Sequence, residues 1–185
     1  MSKVFLFLAD GFEEIEALTV VDLLRRVKVD TVMVSVSGKK KVTGSHGISV
    51  EADELFESVD FSDGVMAVLP GGMPGTLHLQ EQEGLKKLLL RYNEEKKYIA
   101  AICAAPSVLG SYHLLEGRHA TCFPGFEEKL LGAKVMPDAV VIDGNIITSR
   151  GMGTSIAFGA ALVSLLTTGE TAAELLNTIQ YRKGE

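Results

Sequence analysis

Lys3-Val4-Phe5-Leu6-Phe7-Leu8-Ala9-Asp10-Gly11-Phe12-Glu13-Glu14-Ile15-Glu16 is the stretch that separates one fold class from another. After Lys3 the residues are continuously apolar as far as Ala9. A continuous run, unlike an alternating one, suits a strand buried on both faces, as in a parallel sheet. Asp10-Gly11-Phe12 breaks the run, and from Glu13 to about Val27 the periodicity becomes helical. Glu13 and Glu14 fall in the first turn and Arg25 and Arg26 in the last, both placements complementing the helix dipole.

The same strand-then-helix rhythm returns along the chain. Strands are expected at 31–36, 64–69 and 98–102, with helices at 83–95 and 106–115. Short alternating segments around Val42 and 48–50 predict a hairpin, and Asp143-Gly144-Asn145 marks a turn between strands at 140–142 and 146–149. Residues 118–132 read as loop and short helix. Helices at about 154–166 and 172–181, separated by Gly169, close the chain. No repeat or linker interrupts this, so residues 1–185 are expected to form one α/β domain. Its mostly parallel sheet would carry helices on both faces. In such folds ligands sit at the carboxyl ends of the strands, and the residues just after each strand carry the functional information.

Composition narrows the function classes. The 185 residues are 46% hydrophobic and 23% charged, with 24 acidic against 18 basic side chains and a net charge of −6. A chain of this size can bury roughly 70% of its unfolded surface without a metal or disulfide staple. The negative balance argues against nucleic acid or an anionic membrane as partner. The longest apolar stretch, 156–166, is about half a membrane span. Cys103 and Cys122 are too few for a disulfide framework and read as free thiols, and with no signal-like N-terminus a cytoplasmic location is expected. His46, His78, His113 and His119 are scattered singly without metal-ligand spacing, so neither a metal nor a cofactor is expected.

Three places after strands carry candidate chemistry. Cys103 follows Tyr98-Ile99-Ala100-Ala101-Ile102 and precedes Ala104-Ala105-Pro106. Proline suits the first turn of a helix, so Cys103 is expected on a sharp strand-to-helix corner, a nucleophile elbow, with helix N–H groups lowering its pKa. Cys122 lacks that pattern and reads as structural. Glu16 shares a helical stripe with Val20, Leu23 and Val27, which points it toward the core, where burial would raise its pKa; Glu13 and Glu14 are expected to reach water. Leu69-Pro70-Gly71-Gly72 ends a buried strand with two glycines, and the N–H groups of Gly72 and Ala104 could form an oxyanion hole.

Taken together, Leu8-Ala9-Asp10-Gly11-Phe12-Glu13-Glu14-Ile15-Glu16, Val68-Leu69-Pro70-Gly71-Gly72, Ala100-Ala101-Ile102-Cys103-Ala104-Ala105-Pro106 and Thr148-Ser149-Arg150-Gly151-Met152-Gly153-Thr154 occur in the order and spacing of the ThiJ/PfpI superfamily. The chain resembles the branch of the Parkinson-disease-associated protein deglycase and bacterial YajL. The resemblance runs nearly end to end and implies one class I glutamine amidotransferase-like domain, a flavodoxin-like three-layer sandwich. It implies Cys103 as reactive thiol, Glu16 as the acid bonded to it, Gly72 and Ala104 as backbone donors, and Gly71, Phe123 and Arg150 near the pocket. It also implies a homodimer packed through the first helix around Ile15. The activities it implies are a cysteine-dependent glyoxalase or deglycase acting on small aldehydes such as methylglyoxal, or redox sensing and stress protection through cysteine oxidation. The chain departs from the family pattern where Phe123, before Pro124, replaces a histidine. Beside Cys103 stands Ala104 instead of the histidine of the PfpI branch, which argues against amidase or protease activity.

Overall fold

The computed structural model describes residues 3–182. In chain order the first half comprises β1 (Lys3–Leu8), α1 (Glu14–Arg26), β2 (Asp30–Ser35), β3 (Lys41–Thr43), β4 (Ser49–Glu51), β5 (Glu54–Leu55), β6 (Gly64–Leu69), α2 (Gly75–Glu81) and α3 (Glu83–Glu94). The second half comprises β7 (Tyr98–Ile102), α4 (Pro106–Ser111), β8 (His119–Ala120), β9 (Lys134–Val135), β10 (Val140–Asp143), β11 (Ile146–Ser149), α5 (Ser155–Leu166) and α6 (Gly169–Thr178).

Seven strands form one sheet in the order β10-β11-β7-β6-β1-β2-β5. All neighbours run parallel except the β10–β11 hairpin. This is the flavodoxin-like α/β arrangement, with a mostly parallel sheet between two helical layers. The strand alternation explains the layers. Val4, Leu6 and Leu8 face a core shared with α1, α5 and α6, while Phe5, Phe7 and Ala9 face a second core with α2, α3 and α4. Because both faces are covered, β1 has to be apolar throughout, and its hydrophobic run follows from that.

Several expectations shift. The loop after Pro70 contains α2, which begins at Gly75, and the helix starting at Pro106 stops at Ser111 instead of Leu115. Gly169 opens α6 instead of preceding a helix at Ala172. Thr168 supplies its N-cap, its hydroxyl accepting from the Thr171 N–H, so helix start and cap chemistry agree. The expected hairpin around Val42 and Val50 forms, as antiparallel β3–β4. No helix among the described residues is long and apolar enough to cross a membrane.

Candidate active site

The carboxyl ends of β1, β6, β7 and β11 meet at Cys103. The residue sits directly after β7 with φ of +64°, a left-handed conformation that costs energy for a side chain bearing a Cβ. Neighbouring strands hold it there. Its N–H donates to Ser149 C=O at 2.9 Å, its C=O accepts from Phe123 N–H at 2.8 Å, and Ala105 N–H closes the turn onto Ile102 C=O at 3.0 Å. Pro106 then starts α4 in the first-turn position expected for it.

Glu16 comes to the same point from α1. It is 1% exposed, and its Oε2 accepts from Gly71 N–H at 2.8 Å. Oε1 is buried without a hydrogen-bond partner, and the Cys103 thiol lies beside the carboxyl. The two glycines are required by space. A Cβ on Gly71 would lie 2.7 Å from Cys103 Cβ and 2.8 Å from Glu16 Oε2. A Cβ on Gly72, whose φ is +87°, would overlap the Glu13 backbone nitrogen. The backbone amides of Gly72 and Ala104 lie beside the sulfur and favour its ionised form.

Electrostatics make Glu16 and Cys103 competitors for one proton. Burial pushes the Glu16 carboxyl up to about 7, against the pull of Cys103 and Gly71. Burial, the charge of Glu16 and its hydrogen bond push the Cys103 thiol up to about 12, with the Ala104 and Gly72 amides pulling the other way. The expectation of a thiol lowered by helix amides is therefore corrected, because burial and Glu16 outweigh the amides. While Glu16 is ionised the sulfur keeps its proton. Once Glu16 is protonated, two of the three upward causes vanish and the acid becomes a donor to sulfur.

Glu13 and Glu14 are a second correction. They are 8% and 2% exposed, not open to water. Glu13 caps α1, its carboxylate accepting from Glu16 N–H at 2.7 Å. Glu14 is covered by the β3–β4 turn, whose amides replace water as its partners. His46 N–H donates to Oε1 at 2.8 Å, and His46 Nδ1 lies 3.0 Å from Oε2. Ligand-capable atoms of Glu13, Glu14 and His46 all lie within 4.8 Å of one another, the group among the described residues that could hold a metal ion. Sequence spacing gave no sign of it, because the hairpin supplies His46 from outside the helix.

The remaining candidates divide. Phe123 is exposed and Arg150 borders it; with Gly151, Met152 and Thr154 they line a shallow pocket of about 280 Å³. A Cβ on Gly151 would lie 3.9 Å from Cys103 Sγ, so that pocket adjoins the sulfur. Another hollow, about 390 Å³ between Asp10, Ser37, His78 and Glu81, is lined by no cysteine. The four histidines bond elsewhere: His46 to Glu14, His78 to Asp10 C=O, His113 to Glu116 and His119 to Asp143. Cys122 is buried at 2% exposure, and burial holds its thiol up at about 11, in keeping with a structural role.

The chain is similar to known proteins. The family model described as DJ-1/PfpI matches residues 2–165. The DJ-1 homolog B of Arabidopsis thaliana is 38% identical over 182 residues, covering 97% of this chain and 42% of that protein. The chain thus spans less than half the length of that plant relative. A deglycase of Pyrococcus abyssi is 34% identical over 169 residues, 89% of this chain and 99% of its own. The solved structure of oxidized Toxoplasma gondii DJ-1 superposes with a TM-score of 0.95 at 32% identity, covering 99% of this chain and all of that one. A family model matching most of the chain, together with a relative 34% identical along nearly its whole length, means that the chain belongs to the DJ-1/PfpI family.

Proposed function

We propose that the protein is a cysteine-dependent enzyme acting on small α-oxoaldehydes such as methylglyoxal, with Cys103 as nucleophile and Glu16 as proton carrier. The observation that carries this reading is the convergence of the buried Glu16 carboxyl and Cys103 on the same point beside Gly71, where a single Cβ would touch both. With the proton on Glu16, the thiolate adds to the aldehyde carbon, forming the C–S bond, and the Gly72 and Ala104 amides support the developing oxyanion. Protonation of that oxygen by Glu16 gives the hemithioacetal and leaves a carboxylate. The carboxylate then removes the proton on the former aldehyde carbon and returns it to the adjacent carbon through an enediol. The resulting thioester is hydrolysed by water, releasing lactate and the thiol. The kinship with an archaeal deglycase supports chemistry on carbonyl adducts. Lactate formation from methylglyoxal by the parent, and its loss in Cys103→Ser, is the expected result; lactate at an equal rate from both would sink the reading.

A second reading is redox sensing, favoured by the unpartnered Glu16 Oε1. Peroxide would oxidise the Cys103 thiolate to the sulfinic acid, with a protonated Glu16 donating to the new oxygen. The oxidized state of the Toxoplasma relative is in keeping with it. Intact mass after mild peroxide should show two added oxygens on Cys103 and none on Cys122. In either role the protein would act as a homodimer packed through α1 near Ile15.

A further inference from the structure

The Gly72 N–H that faces Cys103 ends a file of hydrogen-bonded peptide groups that starts in the β3–β4 turn. Gly47 N–H donates to Gly44 C=O at 3.1 Å. The other end of that peptide, Ser45 N–H, donates to Phe12 C=O at 2.8 Å. The Phe12–Glu13 peptide passes the polarity on, Glu13 N–H donating to Gly71 C=O at 2.9 Å. The opposite end of the Gly71–Gly72 peptide is the N–H that lies beside the sulfur and favours its ionised form. In a trans peptide the C=O and N–H point opposite ways, so fixing the carbonyl of each unit aims the amide of the next residue. Aligned peptides also polarise one another.

Glu14 clamps the head of this file. Its buried carboxylate accepts from His46 N–H and, at 3.4 Å, from Ile48 N–H on one oxygen, with His46 Nδ1 at 3.0 Å on the other. The turn rests so closely on the carboxyl that a Cβ on Gly44 would overlap it. Glu14 is one residue from Ile15 on the outside and two from Glu16 on the inside, yet no hydrogen bond joins it to Cys103 or Glu16 among the described residues.

We infer that Glu14 is a positioning residue for Cys103: by gripping the turn at residues 44–47 it holds the three peptide hydrogen bonds that aim the Gly72 amide at the sulfur. This deepens the proposed function, but it concerns the thiol itself and is tested without any aldehyde. The sign of the effect separates positioning from simple charge. Deleting a nearby negative charge makes a thiol easier to ionise, whereas losing an aimed amide makes it harder.

The test is the pH dependence of Cys103 alkylation by iodoacetamide, followed by mass spectrometry. Glu14→Ala should move the curve to higher pH by up to about one unit, slowing alkylation at neutral pH about fivefold to tenfold. Gly44→Ala, which displaces the carboxyl without deleting a polar group, should move it the same way and carries the test if Glu14→Ala does not fold. Glu14→Gln keeps an oxygen for the His46 and Ile48 amides while deleting the charge, and should leave the curve at the parent position or slightly below it in pH. Leu175→Ala, in α6, lowers stability away from the turn and should leave the curve in place. Unchanged or lowered curves in Glu14→Ala and Gly44→Ala would overturn the inference, as would an equal shift in Leu175→Ala. A parent protein that makes no lactate from methylglyoxal would leave this result standing.

Discussion

Glu16 is a carboxyl kept in the core at a cost, and the pH dependence of that cost is measurable. Its value of about 7 in the folded protein lies above its ordinary 4.5, because burial penalises the charged form. Below pH 4.5 the group is neutral in both folded and unfolded chains, and burying it carries no ionic penalty. Between 4.5 and 7 the unfolded chain releases the proton first, so stability falls as pH rises and levels off above 7. The loss amounts to about 3 kcal/mol. Glu16→Gln removes the titration, so urea unfolding should show the parent losing about that much relative to the variant between pH 4 and 8. A parallel pH dependence for the two would contradict the buried acid. The same variant separates the two tasks of Glu16. Without the carboxylate charge Cys103 should ionise at lower pH and alkylate faster, while lactate formation should fall by about 100-fold or more for want of a proton carrier.

Elements were legible where burial was uniform. The strands β1, β6 and β7 lie under helices on both faces, so their apolar runs give them away, and Cys103 and Glu16 were readable because each is anchored to such a run. The two-residue strands β5, β8 and β9 carry no pattern of their own, and α2 was hidden behind Pro74 and Gly75. Glu13 and Glu14 misled for another reason. Periodicity sees only the helix, and the partner that buries Glu14 is the β3–β4 turn more than thirty residues away. A similar hidden contact fixes α5 against α1. Gly159 in α5 faces Leu23, and a Cβ there would lie 2.6 Å from Leu23 Cδ1. Alanine gains about 1 kcal/mol of helix propensity over glycine, but overpacking a buried contact costs about 1–3 kcal/mol. Gly159→Ala should therefore destabilise the parent, and it should stabilise the protein once Leu23→Ala has made room. Chemical denaturation of the four proteins of this cycle reads the sign directly; stabilisation by Gly159→Ala in the parent background would remove close packing as the reason for glycine.

At the scale of the whole molecule, large apolar side chains stand exposed on α1 and on the β3–β4 hairpin of a chain with a net charge of −6. Ile15 on α1 is 50% exposed and Ile48 on the β3–β4 hairpin 55%. The two are joined through Glu14, the neighbour of Ile15, whose carboxylate accepts from the Ile48 N–H. Two large aliphatic side chains held outward by a buried ion are poorly suited to water, and burying each fully is worth about 1.5–3 kcal/mol. In the proposed homodimer, a twofold contact would present Ile15 and Ile48 of one copy to the same residues of the other. The proposed homodimer makes a definite claim about both. Ile15→Lys places a charge where the apolar contact would form, so light scattering should show the mass of a dimer for the parent and of a monomer for the variant. Because Ile15 points away from the core, the variant should keep the thermal unfolding profile of an intact fold. A parent that scatters as a monomer at micromolar concentration would end the dimer proposal. A variant that remains dimeric would move the contact away from α1, and Ile48 would then need another reason for its exposure.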